Sequence, residues 1–297
     1  MPVNITCRMF PLFLAGLMVS VTVSNAQPGP DDTPVAQWAT YIDSLDKDDL
    51  DSFSRAITHF KSCCRQLPTA QADSVFKYFQ TFFFATISRH NDLIWEDLDF
   101  LEQLHAKQRP RDPQIAAFLE TLHRNGLALY TLSELYYIDQ TDGYLYRHFY
   151  PFVSLAVKDY LTIRKRELAA GFSDDERLLI TLGDLGARVV AWEYYLNKHP
   201  ETIMLESARY YYRIYLSTFL TGLRRSPAFG PGDILNPALK RVYASFFRRY
   251  DDTQAAKLVE DYYFLLVELD FKWSQPVKDF YQRHNIINMH TFQVPYR

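Results

Sequence analysis

Cysteine is scarce in this chain, with three residues in 297. Cys7 falls within an apolar leader, which leaves the neighbours Cys63 and Cys64. Adjacent helical residues point about 100° apart, so a bridge between them would need a distorted backbone, and no disulfide framework can hold the fold. Either one thiol fills core space and the other is inert, or Cys63 or Cys64 enters an intermolecular disulfide in an oxidising compartment.

Long apolar runs are equally rare. The stretch Met9 to Val23 covers about 15 residues, short of the roughly 20 that span a hydrocarbon core. Arg8 precedes it and Ser24-Asn25-Ala26 follows, the pattern of a secretory signal peptide over residues 1–26 with cleavage after Ala26. No later run is as long without a charge, so no membrane span is expected after cleavage. Leu17 stands where a lipid-bearing cysteine would follow Leu14-Ala15-Gly16, which excludes lipidation. The expected mature protein, residues 27–297, is a single helical domain exported to the periplasm or the extracellular space.

Catalytic signatures are missing too. The chain has no Gly-x-Ser-x-Gly, no His-Glu-x-x-His, no phosphate-cradling glycine loop and no dinucleotide fingerprint. Gly183-Asp184-Leu185-Gly186 sits in a helical stripe, where glycine suits a close helix crossing better than a phosphate. The formal charge of −3 gives no pull toward nucleic acid. Residues 27–140 carry about −7 and the remainder about +3, a mild asymmetry.

What is present is helical periodicity. From Pro34 to Ile287 apolar residues recur at spacings of three and four, without strict alternation bounded by hairpin turns. One stripe is Leu50, Phe53, Ile57, Phe60, Cys64 and Leu67. Another runs Ile115, Phe118, Leu122, Leu129, Leu132 and Tyr136, and a third Leu178, Leu182, Leu185, Val189, Trp192 and Leu196. Thr33-Pro34, Asp112-Pro113 and Asn236-Pro237 place a capping side chain before a first-turn proline, and Ser173 to Glu176 reads as a capping box. These signals predict an all-α protein of about nine or ten helices, packed as a multi-helix bundle or a short α-solenoid of antiparallel hairpins. Ile203 to Leu223 is apolar on more than one face and so needs neighbours on two sides. The longest break, Ser226 to Asp233, is rich in proline and glycine and is the best candidate for a functional loop.

Two Glu-x-x-His motifs, Glu102 with His105 and Glu120 with His123, have the spacing that di-iron carboxylate bundles use, with Glu96 and Glu134 the nearest further carboxylates. They name the only residues for the enzymatic alternative, a metal-dependent, di-iron-like or hydrolytic enzyme. The two motifs sit close together across a proline-containing turn, which argues against a shared metal. His59, Cys63 and Cys64 are too few ligands on one helix for zinc or copper. No cofactor is expected.

Aromatic content is the most unusual feature, at 16% of residues with 21 tyrosines. Runs such as Tyr194-Tyr195 and Tyr210-Tyr211-Tyr212 cannot all face one core. Tyrosine offers a flat apolar body with a polar tip, which suits recognition. The expectation is a non-enzymatic protein that binds a protein or peptide partner through a tyrosine-rich inter-helical groove. Tyr194, Tyr211, Tyr212, Tyr215, Arg224 and Arg225 are its candidate residues. Arg224, Arg225, Lys240 and Arg241 flank the Ser226 to Pro237 loop and suggest an anion site there, although cations near helix ends also have a purely structural explanation.

Overall fold

The computed structural model describes residues 33–97, 100, 113–132, 135–174 and 176–289. The leader over residues 1–26 and the pair Glu102 and His105 lie outside the described residues. Among the described residues the chain forms eleven α-helices and three two-stranded hairpins. The first three helices are α1 (Pro34–Asp43), α2 (Ser52–Cys63) and α3 (Thr69–Glu96). Then come α4 (Pro113–Arg124), the hairpin β1 (Leu127–Leu132) with β2 (Leu135–Gln140), α5 (Tyr144–Phe149) and α6 (Leu155–Ala170). A short hairpin, β3 (Ser173–Asp174) with β4 (Arg177–Leu178), precedes α7 (Leu182–Lys198) and α8 (Leu205–Thr221). The third hairpin, β5 (Gly222–Leu223) with β6 (Ser226–Pro227), leads to α9 (Pro237–Arg249), α10 (Gln254–Glu268) and α11 (Gln275–Arg283). No helix among these residues is long and apolar enough to cross a membrane.

Two of the expected starts hold. Thr33 Oγ1 accepts from the Ala36 amide at 3.2 Å, and Asn236 Oδ1 accepts from the Ala238 amide at 2.9 Å. A side chain can also cap a distant helix. The buried Glu193 carboxylate accepts from the amides of Gln254 at 2.5 Å and Ala255 at 2.8 Å, so α7 caps α10. Gly186 does serve a close crossing: a β-carbon there would lie 2.9 Å from the Phe246 ring of α9.

Two local expectations are corrected. Leu129, Leu132 and Tyr136 were expected on a helix and instead lie in the β1–β2 hairpin, with Leu129 paired to Ile138. Helix α4 stops because Gly126 takes φ 72°, and its α-carbon lies so close to Tyr144 that a side chain would collide with the ring. The outer edge of β2 is then paired by side chains of α3. Asn91 both donates to the Ile138 carbonyl at 3.0 Å and accepts from its amide at 2.6 Å. Trp95 Nε1 donates to the Tyr136 carbonyl at 2.7 Å. Likewise Ser173 to Glu176 is not a helix start. A second capping pair about eight residues later wins, because Thr181 Oγ1 accepts from the Asp184 amide at 3.1 Å and α7 begins there. Leu178 is freed from the helix to pack against the small cluster of Ile214, Leu223 and Met289.

One cluster of buried side chains runs from Trp38 to Ile286. Its N-terminal part is phenylalanine, with Phe60 and Phe79 each within 5.0 Å of the Phe149 ring. Burying one such ring stabilises by about 1.5–3 kcal/mol. Its C-terminal part surrounds α8, in which every residue from Ile214 to Thr221 is buried. A helix buried all round leaves its last carbonyls without water. Tyrosine tips reach them: Tyr243 donates to the Phe219 carbonyl at 2.8 Å and Tyr281 to that of Leu220 at 3.0 Å, while Tyr262 and Tyr281 share a 2.7 Å bond.

Candidate functional site

Three turns converge beside the C-terminal end of α8 and leave a cleft of about 890 Å³ between them. The first turn is β3–β4, the second β5–β6, and the third the loop that continues through Pro231–Asp233 to α9. Gly222 opens the second at φ 71°, with the Ser226 carbonyl and Ala228 amide so close that only glycine fits. Four non-glycine residues in the left-handed region stand in or against these turns: Glu176, Asp233, Asp270 and Phe271. Such conformations cost about 1–3 kcal/mol each and gather where surrounding structure holds them for a purpose.

Hydrogen bonds fix each wall. The Leu178 amide donates to Ser226 Oγ at 3.1 Å and the Arg225 amide to the Glu176 carbonyl at 3.0 Å, joining the first two turns. The third is closed by Asn236 donating to the Ala228 carbonyl at 2.8 Å, and anchored by Leu235 to the Phe271 carbonyl at 2.8 Å and Trp273 to that of Asp233 at 2.7 Å. Leu178, Ile180, Leu182, Leu223, Leu235 and Leu239 give the walls their apolar part, and Thr181, Ser226 and Asn236 add polar groups. Thr218 contributes to the lining, and its buried Oγ1 has no hydrogen-bond partner. The cation in the lining is Arg225. Ile234, half exposed, adds apolar surface to the lining. An apolar concavity with a few polar groups is the ordinary form of a ligand site.

The candidate tyrosines sit elsewhere. Tyr211 is buried, its ring stacked on Trp192 at 5.1 Å and facing the Arg164 guanidinium at 3.9 Å. Tyr215 is buried and takes a 3.4 Å bond from Arg188; burial raises its hydroxyl pKa well above the ordinary value. Tyr212 is half-buried, and burial followed by the neighbouring Glu193 raises it likewise. Tyr194 is exposed, donating to Asp252 at 3.0 Å. Of the four basic residues around the loop, Arg224 pairs with Glu176, Lys240 lies 3.6 Å from the Phe271 ring centre, Arg241 is exposed and Arg225 reaches the cleft wall.

Glu120 and His123 are both exposed on α4. Among the described residues no group of three or more His, Cys, Asp or Glu side chains could hold a metal ion. The apolar wall residues escaped sequence reasoning because they come from separate segments. The loop from Ser226 and the neighbouring Arg225 were its visible part. The chain matches no protein-family model, no curated protein and no solved structure.

Proposed function

We propose that this chain is an exported, non-catalytic binding protein, and that a short peptide segment of a partner protein seats in the cleft beside the loop from Ser226 to Pro237. The observation that carries the reading is the cleft itself: about 890 Å³, with leucines, Arg225 and Thr218 among its lining residues. That volume suits a few residues of extended chain. Apolar side chains of the peptide would fill the leucine wall, with Arg225 placed in the lining near its polar groups. The tyrosines support this role indirectly. Their hydroxyls cap the end of α8, from which the cleft turns depart, so the walls stand on a rigid base.

The test is selection of a random displayed peptide library on the immobilised chain from Gln27, followed by titration of the selected peptides. Ile234→Glu and Arg225→Ala in the lining should each weaken binding about tenfold or more. A library that yields no binder, or binders indifferent to both substitutions, removes the reading. Sequencing the N-terminus of protein recovered from outside the cytoplasm should give Gln27 first.

A further inference from the structure

The cysteines Cys63 and Cys64 stand apart from the cleft and play no part in it. Cys63 is the last residue of α2, and Cys64 has already left the helix at φ −117° and ψ 2°. Inside a helix two adjacent side chains diverge by about 100°. At this terminus the constraint is released, and the two Sγ atoms lie 2.6 Å apart. The pair is also asymmetric in access: Cys63 is exposed, while Cys64 is buried in the core.

We propose that Cys63 and Cys64 are a vicinal redox site, which a low-molecular-weight disulfide converts into an intrachain disulfide. The Cys63 thiolate attacks one sulfur of the reagent and releases the first thiolate as leaving group, giving a mixed disulfide at Cys63. The Cys64 thiolate then attacks the Cys63 sulfur and releases the second. Two protein thiols lose two protons and two electrons, and one disulfide reagent becomes two thiols. Cys64 is held against Cys63, so this second attack needs no encounter between molecules. It therefore outruns capture of Cys63 by another chain, and the sequence-based expectation of an intermolecular bridge gives way to an internal one. Burial, followed by the contact with Cys63, pushes the Cys64 thiol up to about 12. The first attack needs the Cys63 thiolate and ring closure the Cys64 thiolate, so both steps quicken as pH rises.

The experiment incubates the reduced full chain with glutathione disulfide and follows intact mass, with alkylation of the quenched sample. Trypsin releases Ser62-Cys63-Cys64-Arg65 as one peptide, so both sulfurs are read together. The expected product is a monomer two hydrogens lighter, whose peptide resists alkylation until it is reduced and forms faster as pH rises above neutrality. Cys64→Ser should instead accumulate a glutathione adduct at Cys63, and Cys63→Ser should leave Cys64 unmodified in the native state. In the unsubstituted chain, a persistent glutathione adduct, a covalent dimer or two freely alkylated thiols would each overturn the proposal.

Discussion

The Leu178 amide donates to Ser226 Oγ at 3.1 Å across 48 positions of sequence, and this bond ties two walls of the cleft together. Ser226→Ala leaves that amide without its acceptor while removing little volume. The expected loss is about 1 kcal/mol in global stability. Local opening should change more, because the bond holds two short turns rather than a helix. Amide exchange at 176–180 and 222–228 should accelerate while α8 exchange stays slow, and peptide affinity should fall with it. Unchanged exchange in those turns would show that the wall does not depend on this bond.

Glycine replacements separate conformation from space. Gly222 has φ 71° and is enclosed by the backbone of Ser226, Pro227 and Ala228. Gly222→Ala meets both obstacles and should destabilise by roughly 1–3 kcal/mol. Gly183 lies exposed in the first turn of α7, where a β-carbon meets nothing nearer than Thr181 Oγ1 at 3.7 Å. Gly183→Ala should be neutral or stabilising by up to about 1 kcal/mol. Urea midpoints of the two variants should move in opposite directions or differ plainly in size.

These turns also show how far the sequence could be read. Capping pairs such as Thr33-Pro34 and Asn236-Pro237 act through contacts two or three residues away, so those two helix starts were legible. The β1–β2 hairpin was not, because Leu129, Leu132 and Tyr136 fit a helical stripe equally well. What decides for strand is remote: Asn91 and Trp95 on α3 pair its edge, and Tyr144 enforces glycine at 126. The fate of the tyrosines was hidden for the same reason. Whether a ring faces solvent or the end of another helix depends on which carbonyl it meets, as Tyr243 and Tyr281 do at Phe219 and Leu220. The loop from Ser226 and Arg225 were visible as composition, whereas Leu178 and Thr218 became part of one cleft only through folding.

Acid should loosen the N-terminal half before it strips the carboxylates. Burial, followed by Lys61 and Arg147, pushes His148 down to about 4, and burial also lowers His90, whose Nε2 is buried without a partner. In the unfolded chain each titrates near about 6.5. The unfolded state therefore binds protons that the folded state refuses. The contribution of these histidines is complete above the unfolded value and is lost as pH falls toward the folded one. The carboxylates have a lower window. Asp51 is lowered by hydrogen bonds from Arg124 and then Asn125; in Asp159, burial pushes upward but bonds from Lys198 and His199 more than offset it. Their share is lost only below about 3.9. Urea midpoints should thus decline between pH 6.5 and 4, with that slope reduced in His148→Gln. A flat profile over this interval would refute the assignment.

The buried ion pair under Tyr211 gives a prediction whose sign depends on what is left behind. Arg164 donates to Glu167 Oε2 at 2.6 Å, and Trp192 Nε1 donates to Glu167 Oε1 at 2.6 Å, with all three side chains buried. Glu167→Ala removes the acceptor of both and strands the guanidinium, for an expected loss of about 3–5 kcal/mol. Arg164→Met in the same chain removes the stranded charge, so the pair of substitutions should be less harmful than Glu167→Ala alone. It should not be harmless, because Trp192 still lacks an acceptor, worth about 1–3 kcal/mol when a buried donor is unpaired. Denaturation of the two single variants and the double variant gives the coupling directly. Additive losses would mean that Arg164 is held by its stacking on Tyr211 rather than by Glu167.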